Sequence, residues 1–297
     1  MSMFRKDLLA GHRILVTGGG TGLGRSMAEA FASHGAEVVI WGRRGQVLEE
    51  AAAEMRAATG GAVTPMAVDI RNAGAIDEAM QAIFDEKPLS GLVNNAAGNF
   101  ISRTEDLSAN AFNAIASIVA HGTFNTTVAA GKRWIAGGHR GSILSIVTTW
   151  VWTGSPFVVP SAMSKAGVAA MTQSLAVEWG PKGIRANAVA PGPFPTKGAW
   201  ERLMPEPLQK KMGTGSGASD IPLRRMGDHR ELANLAIFLM SDECDYLTGE
   251  VIAIDGGQWL ASGGNFHAFT RLENSDWEMI GQAIRATNSR DRAARTT

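Results

Sequence analysis

The chain has 297 residues, 45% hydrophobic and 19% charged, a composition that can build a large core and excludes a disordered chain. Its 28 Lys and Arg balance 28 Asp and Glu, so nothing steers it to nucleic acid or anionic lipid, and a small molecule is the expected partner. The single cysteine, Cys244, excludes an intrachain disulfide and a thiolate metal cluster; no metal is expected, and with no stretch approaching the ~20 apolar residues of a membrane span the expected location is the reducing cytoplasm.

Short β-branched runs at Arg13–Thr17, Glu37–Trp41, Ala62–Val68, Gly91–Asn94, Ser142–Val147, Ile184–Val189 and Glu250–Ile254 predict buried strands. Between them, Leu23–His34, Val47–Ala58, Ala73–Asp85 and Ala162–Trp179 are Ala-rich with helical period. This alternation predicts an α/β fold: a doubly wound, Rossmann-type parallel sheet with helices on both faces. No Pro-, Gly- or Ser-rich linker divides the chain, so residues 1–297 are expected to form one domain, with 263–297 as a C-terminal extension. Six prolines from Pro191 to Pro222, around a short helix predicted over Gly198–Met212, read as a loop or lid over a site. A helix over Asp276–Ala286 in the extension reads as packing or subunit contact.

Strand, glycine turn and helix start follow one another within Leu15–Gly24, the context in which a glycine pattern binds nucleotide. Gly18 permits the tight turn, Gly22 lets backbone approach a pyrophosphate, and Gly24 lets the helix pack closely. The second strand ends Trp41-Gly-Arg43-Arg44. A carboxylate there would favour NAD; two guanidiniums suit the 2′-phosphate of NADPH. Asp69 follows the third strand and either accepts from the adenine amino group or caps the next helix. Asn94–Gly98 follows the fourth, where small side chains let a cofactor lie against backbone.

Those motifs, with Pro191-Gly192 after a strand, resemble the short-chain dehydrogenase/reductase family up to about residue 260. Most members carry Tyr-x-x-x-Lys after the fifth strand, where this chain has Ser161-Ala-Met-Ser-Lys165. Asn94-Asn-Ala-Ala-Gly-Asn-Phe-Ile101, Thr153–Lys165, Pro191-Gly-Pro and Thr196-Lys-Gly198 look more closely like 2,4-dienoyl-CoA reductases, which also have serine there. Those enzymes reduce a conjugated thioester with NADPH in fatty acid β-oxidation. Their mitochondrial-type members place a catalytic tyrosine where this chain has Trp150, and the one tyrosine here, Tyr246, lies far downstream.

The resemblance implies cofactor contacts from Gly18, Thr21, Gly22, Leu23, Gly24, Arg43, Asp69, Ile70, Asn95, Lys165, Pro191, Gly192 and Phe194. It implies acyl-CoA contacts from Arg71, Phe100, Ser108 and Arg202, and a homotetramer with contact faces near residues 108–136 and 160–180. Asn99, Trp150, Ser161, Lys165 and His121 form the expected catalytic set. Ser161 and Lys165 are four apart and share one helix face; the alternative for Ser161 is an N-cap after Pro160. His121 is either a proton relay or a packed histidine, and Trp150 and Trp152 serve as pocket wall or, through the Trp150 N–H, as donor. The competing readings are a carbonyl reductase using His121 or water, and a silent NADPH- or acyl-CoA-binding protein.

Overall fold

The computed structural model describes residues 4–196, 217–261, 272–280 and 282. The predicted helix over Gly198–Met212 lies outside the described residues, as does much of the extension; within the helix predicted over Asp276–Ala286, the described residues are helical.

Seven strands form one sheet: β1 (Arg13–Thr17), β2 (Glu37–Gly42), β3 (Val63–Ala67), β4 (Gly91–Asn94), β5 (Gly141–Ile146), β6 (Ile184–Pro191) and β7 (Val251–Ile254). Their order is β3-β2-β1-β4-β5-β6-β7, and every pairing is parallel. Side-chain alternation decides what each face buries. Ile14, Val16, Val38 and Ile40 join one core with Met27 and Phe31 of α1 (Gly22–Ser33) and Leu48 and Met55 of α2 (Gly45–Thr59). Leu15, Val39 and Trp41 join the other, with Ile76 and Met80 of α3 (Ala73–Glu86) and Trp134 of α5 (Thr123–Gly137). Each such fully buried side chain contributes roughly 1.5–3 kcal/mol.

Strand order reverses beside β1: the chain runs outward through β2 and β3, then returns to place β4 on the other side. This switch point opens a crevice at the carboxyl edge, where ligands bind in such sheets. Behind it, α4 (Ala109–Ala116) continues into α5 through a π-helical segment, Ser117–Gly122. A Cβ on Gly122 would come 2.7 Å from the Ile70 side chain and 2.9 Å from its carbonyl oxygen, so only glycine lets this helix pass so close. Beyond β5, a short helix α6 (Trp150–Thr153) precedes α7 (Val159–Trp179).

Candidate active site

The β1–α1 turn is built for close backbone approach. Gly18 and Gly22 hold positive φ of 67° and 55°, and a Cβ on Gly24 would meet the Gly18 carbonyl oxygen and Asn95 Nδ2 at 2.4 Å. The turn is braced from β4: the Thr17 hydroxyl accepts from the Asn95 and Ala96 N–H groups at 3.0 and 3.1 Å, and Asn95 Nδ2 donates to the Thr17 carbonyl at 3.0 Å. Asn95, expected at the cofactor, thus also fixes the turn that would hold it. Thr21 is the N-cap of α1, with no side-chain hydrogen bond across the cap and no acidic residue in the first turn. The first N–H groups of the helix are left to an external anion.

A cleft of about 430 Å³ runs from Gly18 and Thr21 past Arg43 and Arg44 to Asp69, Ile70 and Asn95. Neither Arg43 nor Arg44 forms a salt bridge among the described residues, and the one carboxylate lining the cleft, Asp69, feels the charge of Arg43 but is hydrogen-bonded to Arg71. This donor set fits a dinucleotide with an additional phosphate. Asp69 is not the cap of α3; that role belongs to Asn72, whose side chain accepts from the Ala75 N–H at 3.1 Å. Both Asp69 oxygens accept from Arg71 Nε at 3.0 Å. Hydrogen bonding from that guanidinium holds the Asp69 carboxyl below its ordinary value despite the opposing effect of burial, and the charges of Arg71 and Arg43 add to the lowering.

At the ends of β4 and β5 lie most of the residues expected to carry the chemistry. Lys165 on α7 is 6% exposed and its ammonium donates to the Ile146 carbonyl at the end of β5. Burial lowers its pKa to about 8. Ser161, one turn earlier, is 4% exposed. It is not an N-cap: α7 begins at Val159 with Pro160 in its first turn, and Ser161 N–H already bonds the Val158 carbonyl. Asn99 folds its Oδ1 back onto the Phe100 N–H at 2.9 Å, which leaves the amide NH₂ as donor. Trp150 opens α6, half-buried, its backbone N–H bonded to the Thr148 hydroxyl. It forms one wall of a 420 Å³ apolar groove with Ile101, Pro156 and Phe157.

The other expected residues are more dispersed. His121 is exposed in the π-helical segment and lines a separate hollow with Arg71, Phe124 and Met171. The Ser108 hydroxyl caps α4 by accepting from the Ala111 N–H. Leu23 sits half-buried in α1, and Pro191 ends β6. Gly192 has no room for a Cβ, which would approach Asp255 to 2.6 Å, while Phe194 is buried in the core. Arg202 lies outside the described residues. Tyr246 is fully exposed, beside Asp245. Asp245 pairs with Arg140 just before β5 and with Arg185 at the start of β6, so this tyrosine sits at the amino edge, across the sheet from Lys165.

Two features were not legible in the residue pattern. Trp152 stacks on Trp259, centroids 4.7 Å apart and planes at 27°, and Asp255 holds Trp259 through its backbone N–H at 2.7 Å. The Asp-Gly-Gly turn was the one available signal for that contact.

Comparison with known proteins agrees with this geometry. The family model described as enoyl-(acyl carrier protein) reductase matches residues 18–258. A Caenorhabditis elegans protein described as a probable 2,4-dienoyl-CoA reductase, (3E)-enoyl-CoA-producing, is 42% identical over 301 residues, covering 98% of this chain and 95% of its own. A solved short-chain dehydrogenase from Bacillus anthracis is 42% identical with a TM-score of 0.74 over 83% of this chain and 96% of its own. A provisionally assigned dehydrogenase from Agrobacterium tumefaciens, solved with NADP bound, is 32% identical with a TM-score of 0.77 over 86% of this chain and all of its own. With likeness running from the glycine turn through β7, in sequence and backbone alike, the chain belongs to the short-chain dehydrogenase/reductase family.

Proposed function

We propose that this protein reduces 2,4-dienoyl-CoA thioesters with NADPH. The observation that carries the reading is the buried Ser161–Lys165 pair at the carboxyl edge, with the only tyrosine at the other end of the sheet. A ketone becomes an alkoxide on reduction and wants a positioned acid. A dienoyl thioester instead spreads charge onto its oxygen as a dienolate, which needs hydrogen-bond donors first and a proton later.

Bound NADPH supplies the hydride. In this reading the glycine turn, with Thr21 and Leu23, holds the pyrophosphate, Arg43 and Arg44 grip the 2′-phosphate, and Asp69 accepts from the adenine amino group. Ile70, Asn95, Pro191, Gly192 and Phe194 complete the walls. Lys165 anchors the ribose hydroxyls and provides positive field. Asn99 Nδ2, the Ser161 hydroxyl and the Trp150 indole N–H are donors to the thioester oxygen, and water delivers the proton, since indole is no acid at neutral pH. His121 stands outside this centre.

For the CoA moiety the candidates are Arg71, Phe100, Ser108 and Arg202, with Arg71 exchanging its Asp69 partner for phosphate. The proposal includes one domain with residues 263–297 as extension, and a homotetramer joined through the helices near 108–136 and 160–180. The proposed location is cytoplasmic; no helix among the described residues is long and apolar enough to cross a membrane.

The test is NADPH absorbance loss with purified protein and a 2,4-dienoyl-CoA, beside NADH and simple-ketone controls. Turnover selective for NADPH and the dienoyl thioester is expected. Turnover of ketones alone, or cofactor binding with no turnover, overturns the reading.

A further inference from the structure

His229 heads the helix α8 (His229–Met240), and both of its ring nitrogens are engaged. Nε2 lies 2.7 Å from the Pro195 carbonyl oxygen, which can only accept, so Nε2 carries the proton. Nδ1 lies 2.8 Å from the Ser26 hydroxyl on α1. The same hydroxyl lies 3.2 Å from the Gly22 carbonyl oxygen, to which it can donate.

These bonds close a ring around the cofactor turn. Gly22 begins α1 with positive φ, and the Thr196 methyl lies 3.5 Å from where a Gly22 Cβ would stand. Pro195–Thr196 therefore passes directly over the helix N-terminus that offers its free N–H groups to an anion. The segment is pinned upstream as well: the Gly227 N–H donates to the Pro193 carbonyl at 3.0 Å, and the Phe194 ring packs on Gly227. Downstream of Phe194, His229 is the side chain among the described residues that bonds both this strap and α1.

We propose that His229 is a positioning residue for the dinucleotide: through Ser26 and Pro195 it holds the strap over the pyrophosphate and so sets how tightly NADPH is bound and how slowly NADP leaves. The inference rests on the NADPH reading above. It predicts a thermodynamic unit, because the imidazole acts only while both partners are in place.

The experiment measures the NADPH dissociation constant by fluorescence titration in wild type, Ser26→Ala, His229→Ala, the double variant and His229→Gln, with melting temperature and the KM of the acyl-CoA beside it. Losing one or two hydrogen bonds predicts an affinity about three- to ten-fold weaker in His229→Ala. The double variant is expected to be no worse than His229→Ala, and acyl-CoA KM unchanged. Glutamine, with one donor and one acceptor on a similar reach, is expected to restore most of the affinity, which a general loss of stability would not allow. An unchanged NADPH dissociation constant in His229→Ala overturns the proposal, as do strictly additive losses or a glutamine variant no better than alanine. Wild-type protein that fails to bind NADPH overturns the NADPH reading along with it.

Discussion

The buried ammonium of Lys165 is tied to the backbone carbonyl of Ile146, so α7 and the end of β5 meet through a cation with no carboxylate partner among the described residues. Burial alone lowers the lysine from its ordinary 10.5 to about 8, and two opposite pH dependences follow. The charged form serves the ribose and the developing anion, so kcat/KM is expected to fall as pH rises through about 8. Stability moves the other way. The native state sheds this proton before the unfolded chain does, so between about 8 and 10.5 the group adds stability as pH increases. Lys165→Met should abolish both effects and lower kcat/KM by roughly 10²-fold or more. A pH–rate profile beside a pH series of melting temperatures checks the pair; an alkaline limb that survives in the variant assigns it elsewhere.

Arg43 and Arg44 line the cleft without salt-bridge partners among the described residues. Replacing both with alanine should weaken NADPH binding by roughly 10- to 100-fold, the loss of charge-assisted hydrogen bonds to a phosphate, and leave NADH nearly unchanged. Titration with both cofactors measures the ratio, and equal weakening of the two would place the arginines away from the 2′-phosphate.

Ser161 is buried, and its hydroxyl has no partner among the described residues. Ser161→Ala should therefore hold or raise the melting temperature, since no satisfied bond is lost, while kcat drops by roughly ten-fold or more for want of one donor. Trp150→Tyr places an acid where the wild type has an indole. If donors suffice, the variant gains little on dienoyl-CoA; a large gain would mean that protonation limits the wild-type reaction. Steady-state kinetics on both variants, with thermal melts, read out the outcome.

Gly24→Ala tests the turn. Its methyl would meet the Gly18 carbonyl at 2.4 Å, and because backbone cannot yield as a side chain does, a cost of about 1–3 kcal/mol is expected together with lost NADPH affinity. Denaturant unfolding and cofactor titration measure the two separately.

Much of the scaffold was legible in the residues. β1 and β4 have the bounds their β-branched runs predict, because a strand buried on both faces has little freedom to shift. α7 starts three residues before the expected Ala162 because proline is tolerated in a first turn. β5 begins at Gly141, where the Trp134 ring leaves no space for a Cβ, a tertiary cause that no local pattern carries. The cofactor cleft could be read from its glycines and arginines, since their use is local in sequence. What escaped depended on distant partners: the Asn95 brace to Thr17, the Trp152–Trp259 stack, and His229, whose ring reaches residues 203 and 34 positions away. The π-helical segment was invisible for another reason. Its one signal, Gly122 against Ile70, needs the neighbouring strand in place.

The bonds that brace the glycine turn carry a consequence for biosynthesis. The Thr17 hydroxyl is held by backbone groups 78 and 79 residues further on, and β1 lies between β2 and β4. A ribosome thus releases the nucleotide-binding sequence long before the strand that shapes it. Nascent chains that end before Asn95 carry every glycine of the motif and none of the brace, so cofactor retention should appear on translation intermediates only after β4 has emerged and docked.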